Sequence, residues 1–164
     1  MNMMRRTNLR LALIAATALG LALPAAAACI KPGGYDSLQA ALIAEVNAAR
    51  ATRGLGALVE NAALERTAQG QACDNAARQS ISHDGSDGSR LDTRLKRNGY
   101  AFRTAAENTG RGFADARAAI DWWLNSSGHK KNILMARTNE VGVGIALSAA
   151  PDSRLHWVLV MAAR

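Results

Sequence analysis

The hydrophobic period of this chain changes once, near residue 140, and that change limits the folds open to it. Before it, apolar residues recur at helical spacing. After it, Val141, Val143, Ile145 and Leu147 alternate with glycine and alanine, and Leu155, Trp157, Leu159 and Met161 alternate in the same way. Period 2 in two runs marks two half-buried strands, and the Ala-Ala-Pro-Asp-Ser stretch 149–153 between them supplies the bend of an antiparallel hairpin. Helices followed by a late hairpin, with no internal repeat or low-complexity linker, describe one α+β unit.

The helical part divides at its capping and turn residues. Leu38, Ala41, Leu42, Val46 and Ala49 form one stripe over 37–53, with Asp36 as its N-cap and Gln39 as the capping-box partner. Asn61 caps a second helix running to about Gln79, where Leu64, Ala68, Ala72 and Ala76 make a stripe small enough for close approach to a neighbour. The run 80–89, Ser-Ile-Ser-His-Asp-Gly-Ser-Asp-Gly-Ser, reads as an ordered loop. Ser89 then caps a short helix over 90–98 that ends at Gly99. Residues 100–105 read as extended and 106–112 as a second turn-rich loop. A fourth helix covers 114–125, burying Ile120, Trp123 and Leu124, and a further helical turn near 127–134 carries His129.

The N-terminus reads as an export signal. A basic stretch to Arg10 precedes an apolar run, Leu11 to Leu23, then Pro24 and a small-residue cleavage site before Cys29. The apolar run is shorter than the ~20 residues of a transmembrane helix. Residues 1–28 are therefore expected to be a secretory signal and 29–164 a single domain that is secreted or periplasmic. Arg5, Arg6 and Arg10 fall in the leader, so 17 of the chain's 20 basic residues face 13 acidic ones in the mature part. They are scattered among acids rather than grouped, which argues against a nucleic-acid partner. Cys29 has two readings: it carries a lipid anchor, or it pairs with Cys73. The even cysteine count in an oxidising compartment favours a Cys29–Cys73 disulfide, which would fix the N-terminal segment to the domain.

Three histidines remain for chemistry. His156 lies within the last strand, on the face opposite Trp157, and reads as a satisfied core residue. His83 and His129 are each bracketed by Gly and Ser, which set backbone geometry and leave room for a ligand. Glu107 stands beside Asn108 in the second turn-rich run. Two imidazoles and a carboxylate meeting in a cleft would suit Zn²⁺ or another divalent metal as an incomplete shell, or serve as acid and base around a bound water. The plainer reading is that Glu107, Asn108, Ser126 and Asn132 tie loops to the backbone. No H-E-x-x-H, C-x-x-C, G-x-S-x-G or Walker pattern is present.

Four ordered motifs carry a resemblance: Ser82-His-Asp-Gly85, Ala106-Glu-Asn108, Trp123-x-x-Ser-x-Gly-His-x-x-Asn-Ile-Leu134 and Val141-Gly-Val-Gly144. Together they resemble the CAP superfamily of cysteine-rich secretory, antigen-five and pathogenesis-related proteins, in its short bacterial secreted branch. The resemblance implies an α-β-α sandwich with a three-stranded antiparallel sheet between helical layers, and a cleft lined by two His and two Glu that hold a divalent metal in some members. By motif, His83, Glu107 and His129 occupy three of those positions, while Asn125 stands at the second Glu, so a closed four-ligand site is not available.

The implied function is an extracytoplasmic binding module. Its cleft, His83, Glu107, Asn108, Asn125 and His129, recognises a cell-envelope component or a small lipid-like, amphipathic ligand. The alternative is a hydrolase in which Glu107 activates a water. Membrane contact is expected only through the signal or a lipid at Cys29.

Overall fold

The computed structural model describes residues 29–148 and 154–164; the expected signal and the bend 149–153 lie outside the described residues. The elements run α1 (Tyr35–Ala51), β1 (Val59–Glu60), α2 (Ala62–Arg78), α3 (Leu91–Arg97), β2 (Thr104–Arg111), α4 (Ala116–Leu124), α5 (Ser127–Ile133), β3 (Glu140–Leu147) and β4 (Leu155–Ala163). The sheet order is β1-β3-β4-β2. β4 is antiparallel to both β2 and β3, with Val143 opposite Leu159 and Glu107 opposite Val160.

Period 2 sorts the hairpin's side chains onto two buried faces. Val141, Val143, Ile145, Trp157, Leu159 and Met161 pack with Leu42, Val46, Ile120, Trp123 and Ile133 from α1, α4 and α5. Val158, Val160, Ala162 and Ala146 pack on the other side with Leu64, Ala68, Ala72 and Ala76 of α2 and with Leu95 and Tyr100. The result is the expected α-β-α sandwich. The alanine stripe of α2 has its counterpart in Gly142 and Gly144 of β3. A Cβ on Gly142 would lie 2.1 Å from the backbone of Leu64 and Glu65, and one on Gly144 2.3 Å from that of Ala68 and Gln69. Helix and strand meet backbone to backbone at both points.

Several local expectations are corrected. The sheet has four strands, because Val59–Glu60 adds a parallel partner to β3; two residues are too few to show a period. Residues 106–112 are not a loop: 104–111 form β2, whose pairing with β4 overrides the turn-forming composition. α1 starts two residues earlier, with Gly34 at φ 70° as its N-cap, so Asp36 lies inside the first turn, and Gln39 instead reaches Val143 O at 2.6 Å. At α3 the N-cap is Arg90, and buried Ser89 offers its carbonyl to Arg94. The Asn61 cap holds as read, its side chain accepting from the N–H groups of Ala63 and Leu64. His156 is buried and its Nδ1 lies 3.1 Å from Ser80 O.

Cys29 and Cys73 form a disulfide across a separation of 44 residues. Beside it, Leu147 N donates to Ile30 O at 2.8 Å, so the segment before α1 is tied both to α2 and to the end of β3. Cys73→Ser is expected to lower unfolding free energy by about 3 kcal/mol, chiefly by freeing the unfolded chain. Urea denaturation of oxidised wild type against the variant measures this, and equal midpoints would contradict it.

Candidate functional site

β2 and the loop before α3 bring the first two candidates together. Glu107 Oε1 lies 2.9 Å from His83 Nδ1, and the glutamate side chain is 2% exposed against 57% for the histidine. A carboxylate buried to that degree needs a countercharge, and Arg94 supplies it: Nη2 donates to Glu107 Oε2 at 2.7 Å. Arg94 Nη1 also donates to the carbonyls of His83 and Ser89, both at 2.9 Å. One guanidinium therefore holds the carboxylate and the loop that presents the imidazole, and both oxygens of Glu107 have a donor.

Arg94 has no motif to announce it. Its signal is positional: Leu91, Arg94 and Leu95 share one face of α3, and an arginine on an apolar stripe needs a buried partner.

The second half of the site is tied to the first through amides. Asn108 is fully buried; its Nδ2 donates to His129 O at 3.1 Å and its Oδ1 accepts from Asn132 Nδ2 at 2.9 Å. Asn132 Nδ2 also reaches Glu107 O at 3.2 Å. These contacts lock α5 to β2, so Asn108 and Asn132 are positioning residues. The His129 ring packs 5.1 Å from Trp122, which sits 5.4 Å from Phe113 and is 45% exposed. His129 Nδ1 is buried with no hydrogen-bond partner. Asn125 is not drawn into this network: it ends α4, exposed, with Nδ2 donating to Asp121 O at 3.0 Å.

The two imidazoles are pushed in opposite directions. The hydrogen bond that its ring N–H donates to Glu107 holds His83 above its ordinary value of 6.5, with the carboxylate's charge adding to it against partial burial. Burial lowers His129 below 6.5, and the nearby charge of His83 adds to that. For His83, the pairing stabilises the fold fully below about pH 6.5 and is lost as pH rises through its higher native value. For His129 the sign reverses: the unfolded chain takes up a proton first, so stability falls as pH drops below 6.5 toward the lower native value. His129→Gln should therefore flatten the loss of stability between pH 7 and 5 in urea titrations. An unchanged slope would show that His129 is not buried in its neutral form.

The ligand set expected for a metal does not fit this arrangement. Glu107 already accepts from His83 and Arg94, and among the described residues no three His, Cys, Asp or Glu side chains are arranged to hold a metal ion.

A cavity of about 230 Å³ opens beside the pair, lined by His83, Asp84, Arg90, Leu91, Ala105, Ala106 and Glu107. Larger hollows of about 340 and 360 Å³ lie between α1, α4 and α5 and between α2 and α3. The smaller one is the candidate site, since it alone among them places His83 and Glu107 on a common wall.

The profile of the cysteine-rich secretory protein (CAP) family matches residues 43–161. The chain belongs to this family. The CAP match takes in all four motifs. The Bacillus subtilis protein YkwD is 28% identical over 120 residues, covering 73% of this chain and 46% of its own length. The crystal structure of an extracellular SCP-domain protein from Bacillus anthracis superposes with TM-score 0.70 at 26% identity, over 79% of this chain and 41% of that one. An outer surface protein of Borrelia burgdorferi shares the fold, at TM-score 0.68 and 22% identity, over 75% and 90% of the two chains. The chain spans less than half of the curated relatives it matches. No helix among the described residues is long and apolar enough to cross a membrane.

Proposed function

We propose that this CAP domain is an exported recognition module, secreted or periplasmic, whose His83–His129 face binds a cell-envelope component or a small amphipathic ligand. The observation that carries the reading is the double engagement of Glu107. A general base needs a lone pair directed at water, whereas both oxygens of this carboxylate accept from protein donors and one donor is a fixed cation. Glu107 thus serves as a brace. With Nδ1 turned to the carboxylate, His83 directs Nε2 away from it, as a donor when the ring is protonated and an acceptor when it is neutral. Trp122 offers an exposed apolar surface against the second imidazole. A polar point beside an aromatic plate suits a ligand with a polar head and an apolar body. The Cys29 sulfur, held in the disulfide, is unavailable for a lipid thioether while that bond stands.

The test uses tryptophan fluorescence. Trp123 and Trp157 are buried, so an exposed-tryptophan response reports Trp122. Purified protein is titrated with dodecylphosphocholine below its micelle concentration and, separately, with sonicated peptidoglycan. A saturable change with either probe, weakened about tenfold by His83→Ala, is the expected result; an isolated hydrogen bond of this kind is worth about that factor. No saturable change with either probe contradicts the reading. So does release of soluble fragments from peptidoglycan that Glu107→Gln abolishes without unfolding the protein, an outcome that makes Glu107 a base.

A further inference from the structure

We propose that the open edge of β2 at Ala105–Glu107 binds an extended peptide as an added strand, with an acidic side chain of that peptide held by Arg90. This inference rests on the reading of the cleft as a recognition site, and it names the ligand class.

The argument starts from strand parity. Antiparallel pairing alternates the direction of backbone groups, and Gly112 N donates to Leu155 O in the register that pairs β2 with β4. Even-numbered residues of β2 therefore turn their N–H and C=O groups to β4, and odd-numbered ones turn them outward, where no further strand lies among the described residues, β2 being the last in the order of the sheet. Part of that outward edge is closed by side chains: Asn132 Nδ2 donates to Glu107 O, and Trp123 Nε1 donates to Thr109 O at 3.0 Å. Over Ala105–Glu107 this leaves the N–H and C=O of Ala105 and the N–H of Glu107, none of which has a hydrogen-bond partner among the described residues.

This is the stretch that lines the 230 Å³ cavity. Such a hollow is smaller than a drug-sized ligand needs but sufficient for a side chain or two of a strand lying along its wall. At about 3.3 Å per residue, the open edge accepts roughly three residues before Asn132 and Trp123 end it. The cavity's other wall sets the preferred side chain. Arg90 is exposed and has no hydrogen-bond or ion-pair partner among the described residues, and a planar guanidinium favours a carboxylate. Leu91 next to it supplies apolar contact. Edge pairing gives affinity through the main chain, and the pocket gives specificity through alternate side chains.

The probe is acetyl-Val-Glu-Val-amide, added to the ¹⁵N-labelled protein. The largest amide shifts are expected at Ala105 and Glu107. N-methylation at one of the three peptide positions should weaken binding about tenfold by removing an edge hydrogen bond. Replacing the peptide's Glu with Gln should weaken binding to the wild type by a similar factor, and Arg90→Gln should bind both peptides equally. Absence of shifts at Ala105 and Glu107, affinity indifferent to N-methylation at every position, or no binding at millimolar peptide each overturns the proposal. None of these outcomes alters the Trp122 titration, so failure of strand addition remains distinct from failure of the recognition reading.

Discussion

Arg94→Met is expected to lower unfolding free energy by about 3–5 kcal/mol, the cost of leaving a buried carboxylate without its cation. The substitution keeps most of the apolar stem that lies along α3, so the loss comes from Glu107 and from the two carbonyls, of His83 and Ser89, that the guanidinium also serves. The size of the effect separates this pair from the surface ion pairs of the molecule, such as Lys96–Asp92, where both partners are more than half exposed and about 0–1 kcal/mol is expected. A double variant with Glu107→Gln should recover part of the loss, because a neutral amide no longer demands a countercharge. Chemical denaturation of the four members of that cycle gives the coupling directly. A cost below about 1 kcal/mol for Arg94→Met would mean that Glu107 is solvated or otherwise partnered.

The other large effect belongs to the scaffold. Gly144→Ala should destabilise the fold by about 3 kcal/mol or more, at or beyond the upper end of ordinary overpacking, because the new methyl would meet backbone and not a side chain able to turn aside. Relief requires α2 to move off the sheet, and α2 carries Cys73 and the asparagine and glutamine side chains that hold the His83 loop: Gln71 and Asn75 donate to Ser82 O at 2.9 and 3.0 Å. The structural cost therefore reaches the site. Gly70→Ala, in the same helix with nothing within 4 Å of an added Cβ, is the control and should raise stability by up to about 1 kcal/mol. Thermal unfolding of the two variants side by side tests this, and comparable effects in both would remove the backbone-contact account.

What could be read from the residues follows the same physics. Alternation along β3 and β4 gave the two faces of the sheet in advance, including the inward turn of His156, because period 2 survives wherever both faces are buried. The alanine stripe of α2 foretold a close neighbour, and the glycines of β3 are that neighbour. In β2 the turn-forming composition of Glu-Asn-Thr-Gly points to a loop where the structure has a strand. Its strand state comes from pairing with β4, and its buried polar side chains are satisfied by partners 13 to 24 residues away, which no local window contains. For the same reason the motifs pointed to His83, Glu107 and His129 but not to Arg94. Motif position alone puts Asn125 in the cleft, whereas its side chain closes its own helix.

The account turns on Glu107 as a brace engaged by His83, and side-chain ¹⁵N NMR of the histidines measures that contact directly. A titration of the wild type should show His83 protonating above its ordinary value of 6.5, with the proton on Nδ1 in the neutral form, and Glu107→Gln should bring it back toward 6.5. If His83 titrates at its ordinary value in the wild type and does not respond to Glu107→Gln, the carboxylate is not committed to the imidazole, and the case for recognition over hydrolysis at this site fails with it.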